Sequence, residues 1–315
     1  MAYSLDKIND AVRSDPLGFV QESDAAYSKK IETAARKIAD NLSKSRIVLL
    51  SGPSGSGKTT TAKKIEAKLL EMGINSHSVE MDNYFKTVDP ETAPRNRDGQ
   101  MDYESPFCMD MDLLNRHFAA LDRGEKILIP KFEFARQMRS DTRSQPLRLG
   151  SDEIAIFEGI HALNDIITGR NPNAAKVYIS ARSDILDDAG SAAFKRTWLR
   201  LERRAVRDSK FRAWKADVTV KMWANVRRGE KLYISPFKDN ASIVFDSSLP
   251  YEVNVIRPFA QPLFDHLRVS PEMERYEEVR HLTEAYPKFE ILEEKYVSPD
   301  SLIREFIGGG IYDDV

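Results

Sequence analysis

Apolar residues fall into two kinds of pattern along the chain. One is the short unbroken run, at 47–50 (Ile-Val-Leu-Leu), 154–157 (Ile-Ala-Ile-Phe), 176–181 and 242–246, with a looser stretch at 76–81. Runs of this length, rich in β-branched residues and bounded by polar residues or glycine, predict strands buried on both faces. The other pattern is helical spacing. Ala34, Ala35, Ile38, Ala39 and Leu42 make one stripe, and Ala62, Ile65, Leu69 and Leu70 make another within 60–72. Residues 111–121, a long basic region from about 194 to 228, and stretches at 259–267, 273–285 and 301–306 read the same way. Strands alternating with helices predict an α/β fold, a doubly wound parallel sheet with ligands at the carboxyl ends of its strands. Between these elements, 86–106 is loop-like, with Pro90, Pro94, Gly99 and Pro106, and 127–130 is a short strand. Residues 132–143 mix arginine and aromatics without a clean period, and Gly308-Gly309-Gly310 closes the ordered pattern. The expected division is a helical arm over 1–44, a central domain over 45–257 and a helical extension over 258–315. The arm carries no recognisable chemistry, so packing or a dimer contact is its expected use.

The most informative stretch joins the first run to the first long helix: Gly52-Pro53-Ser54-Gly55-Ser56-Gly57-Lys58-Thr59, followed by Thr60. Glycines there let main-chain N–H groups converge on phosphate oxygens, and the helix that follows adds unpaired N–H groups and a positive dipole end. In the context strand, G-x-x-x-x-G-K-[ST], helix, this is a phosphate cradle. Lys58 is expected to reach the β/γ-phosphates and the Thr59 hydroxyl to ligate Mg²⁺. Glu158 closes the apolar run 154–157, where an acidic residue would ligate or orient Mg²⁺ through water; a plain turn carboxylate is the alternative. Asp82 closes the 76–81 strand and so faces the cradle across the crevice, unless it merely caps the strand end. Arg200, Arg203, Arg204 and Arg207 recur at helical spacing on one face. Such a face fits solvated surface or an RNA contact as well as an anion site.

Composition narrows the classes. The chain has 315 residues, 41% hydrophobic and 30% charged, with a net charge of −2, which gives no general pull toward nucleic acid or membrane. Cys108 is the only cysteine, so no intrachain disulfide forms and a reducing compartment is expected. The first residues lack the basic and apolar regions of a signal peptide, and no apolar run reaches the length of a membrane span. A cytoplasmic protein is expected.

The ordered set of motifs resembles the uridine kinase/phosphoribulokinase family. It is most similar to the kinase half of bacterial uridine-kinase-like proteins that often carry a threonyl-tRNA-synthetase-like module in front; a short helical arm stands in that place here. The narrower likeness rests on 94–99 (Pro-Arg-Asn-Arg-Asp-Gly), 157–164 (Phe-Glu-Gly-Ile-His-Ala-Leu-Asn), 226–231 (Val-Arg-Arg-Gly-Glu-Lys) and 302–309 (Leu-Ile-Arg-Glu-Phe-Ile-Gly-Gly). Phosphoryl transfer to an alcohol needs a carboxylate near the attacking hydroxyl, a metal on the phosphates and cations for the developing charge. The resemblance implies that Asp82 is the general base and that Asp102 accepts hydrogen bonds from ribose hydroxyls. It also implies that residues 195–215 form a mobile lid, in which Arg204 helps hold the ribose while Arg207 and Arg212 neutralise the transferring phosphate. Four like charges on one face would hold that lid open until an anion arrives.

Departures from the family pattern bear on the acceptor. The Tyr and His with which uridine/cytidine kinases address the pyrimidine edge align here with Phe132 and Gln137, and a further lid arginine is replaced by Trp214. Arg95, Arg97, Arg136, Arg139 and Arg143 crowd the acceptor-side segments, which fits either the charge of a phosphorylated sugar or pairing with nearby acids within the loops. The sequence thus predicts a Mg²⁺- and ATP- or GTP-dependent kinase of a primary hydroxyl, most plainly a nucleoside 5′-OH. A sugar-phosphate kinase and an NTP-driven switch or RNA-associated NTPase are the rival readings. A small-molecule acceptor and a homo-oligomer fit the leading one, and neither membrane nor nucleic acid is called for.

Overall fold

The computed structural model describes residues 2–97, 99–267 and 276–312. The first residues of the helix expected over 273–285, and Asp98 of the 94–99 stretch, lie outside them. The chain opens with a short strand, β1 (Ala2–Ser4), and two helices, α1 (Leu5–Ser14) and α2 (Pro16–Asn41). β2 (Ile47–Ser51), the glycine-rich turn and α3 (Lys58–Glu71) lead to β3 (Asn75–Glu80), α4 (Met111–Asp122) and the strands β4 (Ile127–Glu133) and β5 (Met138–Leu147). Then come β6 (Glu153–Glu158), the single turn α5 (Asp165–Thr168), β7 (Ala175–Ser180), β8 (Asp184–Leu186) and β9 (Ala192–Phe194). Two helices, α6 (Arg196–Phe211) and α7 (Ala216–Gly229), precede β10 (Ile243–Asp246). The chain closes through α8 (Glu252–Leu267), α9 (Tyr276–Ala285) and α10 (Arg304–Ile307).

Five strands form one parallel sheet in the order β10-β7-β2-β6-β3, so the expected doubly wound sheet is present. Its order turns at β2: the chain runs first to β3 and β6 on one side, then to β7 and β10 on the other. Such a reversal opens a crevice at the carboxyl ends of the strands beside β2. The register puts Leu50 and Glu80 opposite Glu158, which aligns the ends of β2, β3 and β6 along that crevice. Val48 and Leu50 point into the core layer shared with α2, α3, α6 and α8, and Ile47 and Leu49 into the layer shared with α4. Burial on both faces is why these runs are apolar throughout.

Three features depart from the sequence expectation. The strand at 127–130 continues to Glu133 and pairs with β5 as an antiparallel hairpin outside the sheet. β5 is largely exposed, which is why 132–143 shows no period. The basic region 194–228 is two helices, broken where Ala213 adopts a left-handed φ of 53° and the Trp214 N–H turns back to the Asp208 carbonyl. The boundary expected at residue 257 falls inside α8, which runs on through Pro258 and Pro262. Pro258 cannot donate to the Asn254 carbonyl, and the Leu292 N–H fills that place at 3.1 Å. The 1–44 arm packs into the core, one of its two expected uses: Val20, Tyr27, Ile31, Ala35 and Ile38 are buried, and β1 pairs in parallel with β8. Asp15 caps α2 by accepting the Gly18 N–H, with Pro16 in the first turn.

α6 is the largest surprise. Its arginine face is buried instead of solvated. Arg203 is 0% exposed and forks onto Glu252 of α8 at 3.0 and 2.5 Å, and Arg200 forks onto Glu230 at 2.9 and 2.7 Å. Each pair cancels a charge that the sequence alone counts as repulsive. Removing one partner of such a pair leaves the other charge buried and uncompensated. Glu252→Ala is therefore expected to destabilise the protein by ~3–5 kcal/mol in urea unfolding. Pairing it with Arg203→Met should recover most of that loss, and a double variant no more stable than the single one would contradict this account.

Candidate active site

The turn between β2 and α3 is held from behind by its carbonyl oxygens. Arg203 Nη1 donates to Gly55 O at 3.3 Å, Ser247 Oγ to Ser56 O at 2.6 Å, and Thr61 Oγ1 to Gly57 O at 2.6 Å. The Ser56 N–H closes the turn on the Pro53 carbonyl at 3.2 Å. Gly57 caps α3 at a φ of 77° and offers no side chain to the helix end, which leaves the cap open for an anion. Gly52 has no room for a side chain: a Cβ there would lie 2.0 Å from Ile179 O. The sequence-predicted cradle residues Gly52, Pro53, Ser54, Gly55, Ser56, Gly57, Lys58, Thr59 and Thr60 thus form one concave turn at the head of α3.

Two carboxyls face Lys58 across the crevice. Asp82 stands on the one-turn helix Met81–Tyr84 that follows β3, open to the cleft yet enclosed by protein. That enclosure raises its pKa, Glu80 adds to the rise, and Lys58 pulls the other way. Glu158 ends β6, where burial pushes it up to about 7 against the pull of Lys58, with Asp82 and Glu305 adding to the rise. Two enclosed acids with raised proton affinity, both within the field of Lys58, suit a hard divalent cation bound by oxygen. Among the described residues no three His, Cys, Asp or Glu side chains form a protein-only metal cage. Mg²⁺ is usually held by one or two carboxylates together with substrate phosphates, so the donor set fits it.

Above the turn, Asp208 gathers three arginines. This fully buried carboxylate accepts from Arg204 Nε at 3.3 Å and Arg207 Nη2 at 3.1 Å, and pairs with Arg212 Nη1 at 3.5 Å. Thr219 Oγ1 donates to it as well, at 3.3 Å. Arg204 continues to Ser54 Oγ of the turn at 3.0 Å. Three guanidiniums sharing one carboxylate leave two positive charges in excess over the cradle. Sequence reasoning missed Asp208; its spacing from Arg204 and Arg212, four residues each way, was the available signal. The four arginines expected on one face therefore divide. Arg200 and Arg203 pair with Glu230 and Glu252, Arg204 and Arg207 pair with Asp208, and all four are buried instead of forming an exposed basic face.

On the far side of Asp82 lies a cavity of about 760 Å³. Asp82, Asp102, Phe132, Gln137 and Arg204, all predicted from sequence, line it together with Phe134, Tyr103, Met222 and Glu104. Their states differ from expectation. Asp102 is only 3% exposed and both its oxygens are taken, by Arg228 Nη2 at 2.6 Å and Tyr233 OH at 3.0 Å, which leaves little of it for a sugar hydroxyl. Glu104, two residues on, is the carboxyl that sequence reasoning missed. Burial pushes its pKa up to about 7 against the pull of Arg204. Gly229 makes room for it, since a Cβ there would lie 2.4 Å from Glu104 Cβ. Phe132 is buried in a ring cluster with Phe85 and Phe134, at centroid distances of 5.6 and 5.1 Å, and Phe134 is the more exposed ring. Gln137 sits at a left-handed φ of 54° and donates its amide to Phe134 O at 2.9 Å, closing its own turn.

The loop arginines are mostly committed elsewhere. Arg95 bonds Gly99 O and Pro90 O, Arg136 pairs with Glu133, and Arg139 pairs with Asp110 and bonds Tyr84 O and Phe85 O. Neither they nor Arg97 and Arg143 line the cavity. Of the two readings of these arginines, pairing within the loops is the one seen for Arg95, Arg136 and Arg139.

The acids give a pH signature. Glu158 has a folded-state pKa of about 7 against an ordinary 4.5. A carboxyl raised in this way binds its proton more tightly folded than unfolded. Its stabilising contribution is full below about pH 4.5 and is lost as pH rises through about 7. Glu158→Gln is expected to flatten the fall in unfolding free energy over that window, measured by urea titration at each pH. A slope equal to that of the unmodified chain would count against the shift.

Comparison with known proteins gives the family. The profile described as "Phosphoribulokinase / Uridine kinase family" matches residues 47–253. Proteins named uridine kinase from Brevibacillus brevis and Staphylococcus aureus are each 29% identical, over 199 and 202 residues; the matches span 63% of this chain and 83% and 86% of those proteins. Among solved structures, a putative fructose transport system kinase from Silicibacter sp. is 21% identical with a TM-score of 0.47, covering 67% of this chain and 98% of that one. A possible uridine kinase from Bacillus stearothermophilus is 18% identical with a TM-score of 0.40, covering 64% and 88%. With the strand–cradle–helix unit inside the matched span, the chain belongs to the phosphoribulokinase/uridine kinase family of P-loop kinases.

Proposed function

We propose that the protein transfers the γ-phosphate of ATP or GTP to the primary hydroxyl of an uncharged acceptor, a nucleoside 5′-OH being the best fit. The observation that carries this reading is the position of Asp82, which lines the cavity on one side and feels Lys58 of the cradle on the other. A hydroxyl in the cavity and a phosphate on the cradle meet at that carboxylate. Asp82 takes the acceptor proton while the acceptor oxygen bonds to the γ-phosphorus. The bond to the β-bridging oxygen breaks, and Lys58 takes up the charge left on the diphosphate. The raised pKa of Asp82 suits a base, since proton affinity grows as the pKa approaches the working pH. Thr59 and Glu158 would hold Mg²⁺, which screens the phosphate charges when bound. Arg204, Arg207 and Arg212 stabilise the transferring group, whose charge is spread over three equatorial oxygens.

The cavity supports a neutral acceptor. Its walls carry Phe134, Tyr103, Phe107, Met101 and Met222, with Lys86 and Arg204 as the cations, and Arg95, Arg136 and Arg139 are engaged elsewhere. Glu104, not Asp102, is the carboxyl we assign to the acceptor's secondary hydroxyls. The relatives named uridine kinase agree with a nucleoside. No aromatic hydroxyl or imidazole stands at 132 or 137, and the Gln137 amide is engaged in its turn. Recognition by stacking discriminates by only ~10–200-fold, so uridine and cytidine are expected to react at similar rates.

Asp82→Asn is expected to lower kcat by ~10²–10⁴-fold with ADP affinity little changed, and Lys58→Ala to abolish transfer in a folded protein. A coupled assay across nucleosides and sugar phosphates decides the acceptor. If uridine and cytidine are inert while a phosphorylated sugar turns over, the neutral-acceptor reading fails.

A further inference from the structure

Glu305 lies outside the machinery described above. It stands on α10, and its Oε2 accepts both the backbone N–H of Thr60, at 3.3 Å, and the Thr60 hydroxyl, at 2.7 Å. The side chain is buried, with the residue 8% exposed. Among the described residues no lysine or arginine forms a salt bridge with it; Arg203 and Arg212 attract it from beyond contact distance, and the positive end of α3 faces it directly. Thr60 is the third residue of that helix. The Thr61 N–H already bonds Gly57 O, which makes Thr60 the last amide of the first turn that an incoming phosphate can use. A carboxylate of the chain itself therefore holds an N–H/O–H pair in the place where the helix end would receive a phosphate.

We propose that Glu305 is a resident competitor in the donor site: the nucleotide takes Thr60 from its carboxylate, and the turn that carries Glu305 sets donor affinity. The proposal rests on the reading of the cradle as the donor site. Two anions cannot share one donor pair, and their repulsion adds to the exclusion. Leu302, packed over Gly57, keeps the segment close when the carboxylate leaves. Gly308 and Gly309, with φ of 86° and 74°, give the backbone beyond α10 a pivot that other residues rarely adopt. While Glu305 is seated, only the released fraction of molecules binds nucleotide fully, so the apparent affinity falls by that fraction.

Calorimetric titration with MgADP tests this on the unmodified chain and on Glu305→Gln and Glu305→Ala. Both variants are expected to bind ADP at least ~10-fold more tightly, the scale of one charge-assisted hydrogen bond. Equal or weaker binding by folded Glu305→Gln overturns the proposal and makes Glu305 a support of the site. Hydrogen exchange on the unmodified chain is an independent arm: the amides of Phe306, Ile307 and Gly308 should lose protection when ADP binds. Protection that is unchanged or increased also overturns it. Lys58→Ala separates the premise from the proposal. Its loss of ADP binding places the nucleotide on the cradle, whereas full retention removes the donor-site reading and the competition with it.

Discussion

The site depends on one constraint, that the carbonyl oxygens between β2 and α3 are bonded from behind. A glycine-rich turn left to itself samples many backbone states, and few of them aim successive amides at one point. Here α6, the strand-end residue Ser247 and α3 itself each hold one carbonyl, through Arg203, Ser247 and Thr61. Since a peptide's N–H and C=O point in opposite directions, fixing the carbonyls fixes the amides. The cradle is thereby organised before any phosphate reaches it, which lowers the ordering cost of binding.

The same constraint explains why so much charge is buried around it. A guanidinium offers five donors in a rigid fork, so Arg203 can bond Gly55 O and Ser247 O while remaining paired to Glu252. A buried pair of this kind gains little stability over an apolar contact, and its value lies in geometry. Asp208 follows a different logic: one carboxylate orders three arginines without neutralising them all, so positive charge remains beside the turn that Arg204 reaches through Ser54.

The sequence made legible whatever is local. The cradle, the strand ends bearing Asp82 and Glu158, and the parallel order of the sheet all follow from patterns within about thirty residues. What it concealed are choices among distant partners. Arg203 reads as surface until Glu252, 49 residues on, is brought beside it, and Arg200 until Glu230 arrives. Asp102 and Glu104 look equally available in the sequence; Arg228, 126 residues away, takes Asp102 and leaves Glu104 to the cavity. The hairpin strand β5 had no period to detect because it has almost no buried face.

The terminal segments close onto each other as well as onto the site. Asn9 bonds the Lys288 carbonyl, 279 positions apart, and Thr60 bonds Glu305, 245 positions apart. Contacts this remote in sequence mean a high contact order, and they cannot form until the ribosome has delivered both partners. At ~5–20 residues per second, roughly 10–50 s separate the emergence of the cradle from that of the segment seated on it. A nascent chain thus exposes the glycine-rich turn well before α6, α8 and α10 can lock around it. Until the Arg203 and Ser247 donors arrive, the Gly55 and Ser56 carbonyls are unheld, so the order of the cradle waits on chain delivered 148 and 191 positions later.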